Sequence, residues 1–158
     1  MRYRLVAVGG TFDMLHKGHR ALLEKAFEVG ERVVIGVTSD AFAKELHKPH
    51  RVDSYEDRVR ALGDFLRERG YLHRASIVEL SDPYGPAVED GDIEALVVSE
   101  RTGDRGVEIN RIRAAKGLRP LDLIKVDLVK AEDSKPISTT RIRRGEIDRE
   151  GRVIKGRE

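Results

Sequence analysis

One short stretch constrains the fold of this chain more than any other. The apolar run Leu5-Val6-Ala7-Val8 enters Gly9-Gly10-Thr11-Phe12-Asp13-Met14-Leu15-His16-Lys17-Gly18-His19. Behind it, Ala21-Leu22-Leu23-Glu24-Lys25-Ala26-Phe27 has helical spacing. A buried strand therefore passes through a glycine turn into a helix, with two imidazoles near the helix's first turn. Glycine lets backbone N–H groups approach a ligand, and a helix N-terminus carries partial positive charge. The unit reads as a phosphate seat in which Gly10, Thr11, Phe12 and Gly18 shape the loop and His16 and His19 supply donors. Asp13 reads as a cap or brace for the turn.

Two histidines at i and i+3 also suit a metal site on one helical face. A metal site needs further ligands. His47, His50 and His73 lack the spacing and the chain has no cysteine, so the sequence points to no metal centre.

Apolar runs alternate with amphipathic ones along the chain. Strands are expected over 3–8, 32–38, 75–80, 95–99 and 121–129. Helices are expected from about 18 to 29, from Ser39-Asp40 through Leu46, from Ser54 to the stop at Gly70, over 107–116, and from Pro136 onward. This alternation specifies an α/β, Rossmann-like domain with a doubly wound parallel sheet of about five strands. Ligands of such sheets bind at the carboxyl ends of the strands, where strand order reverses. The glycine–histidine loop and the loop after Val98 should share that rim. Residues 1–145 read as the domain, and 146–158 as a charged tail that is loosely held or forms a small edge element.

A length of 158 residues suits one domain with one core. The chain is 39% hydrophobic with no run of membrane-spanning length, so no membrane partner is expected. The first strand starts almost at Met1, which argues against a leader, and without cysteine a cytoplasmic setting is the simplest expectation. A net charge of +2 does not favour nucleic acid as a partner. Charged residues at 37% with Trp and Cys absent are typical of thermophile proteins.

A second motif is Ile137-Ser138-Thr139-Thr140-Arg141-Ile142-Arg143. Ser138, Thr139 and Thr140 at a helix start, with Arg141 and Arg143, can hold phosphate oxygens. A helix cap with solvent-facing arginines explains the same residues equally well. Lys44 and Lys48 follow the second strand, where each is either a surface residue or a lysine overhanging the rim. Arg58 is a further substrate-binding candidate, or a member of a helix-surface ion pair.

The first string resembles the GTFDxxHxGH signature of the cytidylyltransferase-like nucleotidyltransferases, and residues 137–143 resemble their ISSTxxR element. With Asn110-Arg111-Ile112-Arg113, Gly117-Leu118-Arg119-Pro120-Leu121 and Ala131-Glu132-Asp133, the chain looks like the archaeal phosphopantetheine adenylyltransferases from Val6 to about Gly151. The resemblance implies transfer of AMP from ATP to 4′-phosphopantetheine, with Mg²⁺ carried by the ATP phosphates. It assigns His16, His19 and Lys44 to catalysis, with Lys44 rather than Lys48 as the better positional match. Ser138, Thr139, Thr140, Arg141 and Arg143 would hold the triphosphate, Arg101 would touch ATP, and Thr11, Lys44, Lys48 and Arg58 would meet the acceptor. A cytidylyltransferase acting on an alcohol phosphate is the nearest rival, since its late motif RTxGISTT is similar. Here Ala131-Glu132-Asp133-Ser134-Lys135-Pro136 replaces the arginine–threonine–glycine lead-in. A flavin mononucleotide adenylyltransferase is a second enzyme rival of similar architecture, and an ATP sensor that turns nothing over is the rival outside enzymes. Oligomeric state is not legible.

Overall fold

The computed structural model describes residues 2–46 and 51–154. Five strands, β1 (Tyr3–Gly10), β2 (Gly30–Thr38), β3 (Ala75–Leu80), β4 (Ala95–Ser99) and β5 (Asp122–Val126), form one sheet in the order β3-β2-β1-β4-β5. Every neighbouring pair is parallel. Strand order reverses at β1, so β2 and β4 flank it and the chain winds outward in both directions. This is the doubly wound sheet expected from the strand–helix alternation.

Each sheet face has its own core, because successive residues of a strand point to opposite sides. On one face Val6, Val8, Val33, Ile35 and Val37 pack with α1 (Lys17–Val29) and α3 (Tyr55–Glu68) through Leu23, Phe27, Leu62 and Leu66. On the other, Ala7, Leu96 and Val98 meet α4 (Gly103–Ala115) through Ile109, and a 3-10 turn at Gly85–Val88. The short α2 (Asp40–Glu45) is capped by Ser39, whose hydroxyl accepts from the Phe42 N–H at 3.0 Å. Ser54 caps α3 in the same way through the Asp57 N–H.

Three elements depart from the sequence expectation, each for a tertiary reason. Helix α4 starts at Gly103 instead of Val107. Two glycines disguise the start, but a Cβ on Gly106 would lie 3.0 Å from Leu123 Cδ2, so glycine here lets the turn sit close against β5. Strand β5 ends at Val126 instead of Val129, because its one neighbour, β4, ends at the paired Ser99. The last helix, α5, is five residues, Thr139–Arg143, and cannot open at Pro136. Pro136 is bridged to Lys130, and the Ile137 N–H donates to Val129 O.

Residues 146–154 return across the molecule. Ile147 is fully buried with Ala131, Ile137 and Ile142, and it bridges Val153 in an antiparallel pair. The Lys17 N–H, at the first residue of α1, donates to Arg149 O at 2.9 Å.

Candidate active site

The loop between β1 and α1 makes its turn with two non-glycine residues in left-handed backbone geometry, Phe12 (φ 54°) and Met14 (φ 66°). Such conformations persist only where the surroundings over-determine them. Phe12 is held because its ring is buried in the core at 1% exposure. Asp13 is held by its carboxylate, which accepts from the Asp53 N–H at 3.0 Å and from Arg143 Nε and Nη2 at 3.1 and 3.0 Å. Its carbonyl accepts from the Thr139 hydroxyl at 2.9 Å. Asp13 thus braces the turn and fastens α5 to it, bringing the first motif and the last together.

The HxGH tetrapeptide is a helix cap built from imidazoles. His16 is the N-cap of α1, and its Nδ1 accepts from the Gly18 and His19 N–H groups at 3.0 and 3.4 Å. His19 Nδ1 accepts in return from the His16 N–H at 3.2 Å. This is a capping box in which histidine replaces both the hydroxyl and the carboxylate residue. A ring nitrogen that accepts is unprotonated, so each neutral imidazole carries its proton on Nε2 as a donor. The rings stack with centroids 3.7 Å apart and planes at 18°. Gly18 is required by their packing, because a Cβ there would stand 2.9 Å from His16 Cε1.

Burial holds the pKa of His16 down at about 4, and the nearby charges of Arg101, Arg20 and Arg149 push the same way against Asp13. Arg101 lies after β4, and its N–H donates to the Ser99 hydroxyl oxygen at 3.2 Å. The loops after β1 and β4 therefore share a rim. Arg20 Nη2 pairs with Glu150, while its buried Nε has no hydrogen-bond partner among the described residues.

A cavity of about 470 Å³, into which the β1–α1 loop brings Gly10 and Thr11, opens over the second sheet face, a size that suits a small-molecule ligand. Gly10, Thr11, Thr38, Thr102, Arg105 and Thr140 provide its polar wall. Phe42, Leu46, Leu80, Pro83, Ala87 and Ile109 are prominent in its apolar wall.

Of the sequence-predicted residues, the cavity wall takes in Gly10, Thr11 and Thr140. His16, Gly18 and His19 lie at the start of α1 and Arg101 follows β4, and none of the four is in the cavity lining. Lys44 is exposed on α2, the helix that contributes Phe42 to the wall. Lys48 lies outside the described residues.

Other residues have partners within the protein. Ser138 caps α5, accepting from the Arg141 N–H at 3.2 Å. Arg141 pairs with Asp133 and Glu146, and Arg143 with Asp13 and Asp53. Arg58 is 2% exposed, behind the lining residues Thr11 and Thr38. Its Nε donates to Asp53 O at 2.8 Å and its Nη1 to Thr11 O at 2.9 Å.

Thr38, Arg20, Arg105 and Arg149 were missed. Thr38 could have been found, because it closes the strand next to β1 and so reaches the same rim. Arg149 offered no signal within a charged tail.

The chain belongs to the cytidylyltransferase-like family, whose model matches residues 7–145. Among the relatives most similar to it is the phosphopantetheine adenylyltransferase of Methanothermobacter thermautotrophicus, 51% identical over 154 residues, spanning 98% of this chain and 92% of that protein. The protein of the same name from Methanopyrus kandleri is 46% identical, over 93% of this chain and 92% of its own length. A solved structure of a protein of unknown function from Archaeoglobus fulgidus superposes with a TM-score of 0.71 at 33% identity, covering 87% of this chain and all of that one.

Proposed function

We propose that this chain transfers AMP from ATP to 4′-phosphopantetheine, giving dephospho-coenzyme A and pyrophosphate. An oxygen of the acceptor's phosphate attacks the α-phosphorus of ATP in line; the bond from that phosphorus to the bridging oxygen breaks, and pyrophosphate leaves with the electron pair. The acceptor is already an anion and needs no general base, so catalysis rests on positioning and charge stabilisation. The observation that carries this reading is the histidine capping box that closes the β1–α1 loop, whose Gly10 and Thr11 line the cavity: two neutral imidazoles fixed as Nε2–H donors at a helix N-terminus. Neutral donors stabilise the transferring phosphate without binding the pyrophosphate so tightly that it cannot leave.

His19 and His16 serve the reacting phosphates, Thr11 and Thr140 line the path to them, and Lys44 draws the two anions together. The unpartnered Nε of Arg20 supports an anion next to His16. Among the described residues no group of three or more His, Cys, Asp or Glu side chains could hold a metal. In this reading Mg²⁺ arrives on the ATP phosphates, as its preference for phosphate and water ligands allows. The apolar wall of Phe42, Leu46, Leu80 and Pro83 suits an extended uncharged arm better than a short polyol. Among the described residues no helix is long and apolar enough to cross a membrane, and the reading keeps the reaction in the cytoplasm.

The test offers ATP or CTP with phosphopantetheine, glycerol phosphate or flavin mononucleotide, and records pyrophosphate for each pair. Release with ATP and phosphopantetheine alone is expected; preference for another pair overturns the assignment. His19→Ala should lower turnover about a hundredfold or more while ATP affinity changes far less. Equal losses in both would remove His19 from the transition state.

A further inference from the structure

The cavity wall contains a hydrogen-bond chain whose direction is fixed by its buried end. Gly10 of β1 pairs with Val37 of β2, so Thr11 and Thr38 leave the two strands side by side. Their hydroxyl oxygens are 3.2 Å apart, and both residues line the cavity. Thr38 is 4% exposed. Behind it, Arg58 Nη1 donates to the Thr38 hydroxyl oxygen at 3.3 Å, and Arg58 Nη2 lies 3.3 Å from the Asp40 carboxylate.

Proton counting sets the direction. A guanidinium only donates, and a threonine hydroxyl has one proton to give. Arg58 occupies a lone pair of Thr38, so the Thr38 proton must find another acceptor. Among the described residues, the hydrogen bond found for that proton runs to Thr11 Oγ1. The reverse arrangement, with Thr11 donating, would leave a buried hydroxyl proton without a partner, which folded proteins avoid. Thr38 therefore donates to Thr11, and the proton of Thr11 turns away from the wall toward the cavity. A hydroxyl that accepts one hydrogen bond also becomes a better donor of the next.

We infer that Thr38, oriented by Arg58, is a positioning residue that holds the Thr11 hydroxyl as a proton donor to a phosphate oxygen in the cavity. A freely rotating Thr11 would present lone pairs to that anion part of the time. Arg58 acts through hydrogen-bond direction and not as a phosphate ligand, since its own nitrogens are spent on protein oxygens. The inference rests on the phosphate-transfer reading proposed above.

Thr38→Val keeps the side-chain shape and removes the donor. It should lower kcat/KM for AMP transfer about tenfold, the worth of one well-placed hydrogen bond. Thr38→Ser, which still donates, should restore activity to near the wild-type level. In a Thr11→Val background, Thr38→Val should have no further effect, because the relay then ends on nothing. Equal impairment by Ser and Val at position 38, or independent multiplication of the Thr11 and Thr38 losses, overturns the relay. If the wild-type protein transfers no AMP to phosphopantetheine, the functional reading fails on its own. The same proteins are then compared for ATP binding by calorimetry, where loss of the Thr38 effect in the Thr11→Val background supports the relay and independent losses refute it.

Discussion

At the scale of single residues, His16 couples the chemistry of the site to the stability of the fold. Its Nδ1 must stay unprotonated to cap α1, and burial keeps its pKa at about 4, below the ordinary 6.5. The unfolded chain then binds a proton that the folded chain refuses, so stability falls with acidification across that interval. The contribution is fully present above pH 6.5 and is lost as the pH drops through about 4. Its size is on the order of 3 kcal/mol. Denaturant unfolding between pH 7 and pH 4 should reveal this slope in the wild type, and His16→Asn should lose most of it, since an amide oxygen accepts the same N–H groups without titrating. An unchanged slope in that variant would place the acid sensitivity elsewhere. The HxGH string was legible because its geometry is local: a cap, its third residue and a glycine between them lie within one turn. The partners of Arg58, Arg141 and Arg143 were not legible, since a guanidinium suits phosphate and carboxylate alike and tertiary neighbours decide between them.

Among elements, the decisive contact is the clasp between the β1–α1 loop and α5. Asp13 accepts from Arg143, from the Asp53 N–H and, through its carbonyl, from Thr139. Asp13 is 3% exposed and Arg143 19%, so removing one partner strands the other in a largely desolvated place. Asp13→Ala should cost about 3 kcal/mol, a typical value for breaking such a pair. A double-mutant cycle with Arg143→Ala should recover part of that loss, because the double variant leaves no orphaned charge. Simple addition of the two losses would show that the pair is not coupled. Strands β3 and β4 have the boundaries their apolar runs dictate. The ends of β5, α4 and α5 do not, because they are set by the length of a neighbouring strand, a close helix–strand approach and a bridge at Pro136. Strand pairing and helix docking lie between segments far apart in the chain, so periodicity within one segment carries no trace of them.

For the molecule as a whole, residues 146–154 tie the last motif to the first helix. Ile147 is 0% exposed and completes a small core with Ala131, Ile137 and Ile142. Ile147→Ala should destabilise the protein by roughly 2–5 kcal/mol, the range for a buried Ile truncated to Ala. Thermal unfolding measures it, and a loss below about 0.5 kcal/mol, as at a surface site, would show that the segment is not held by this packing. The doubly wound sheet was legible from the alternation of runs, but the return of a glycine-punctuated charged stretch was not. Two apolar residues, Ile147 and Val153, anchor it, and two positions six apart show no helical or strand periodicity.

The separation of sheet from clasp has a consequence for a shortened chain. All five strands have been translated by Val126, whereas Thr139, Arg143 and Arg149 come later. A polypeptide truncated between those points carries every strand of the sheet and lacks the brace on its first loop. Truncation near residue 135 should therefore cost AMP transfer more than it costs the far-ultraviolet circular dichroism of the sheet.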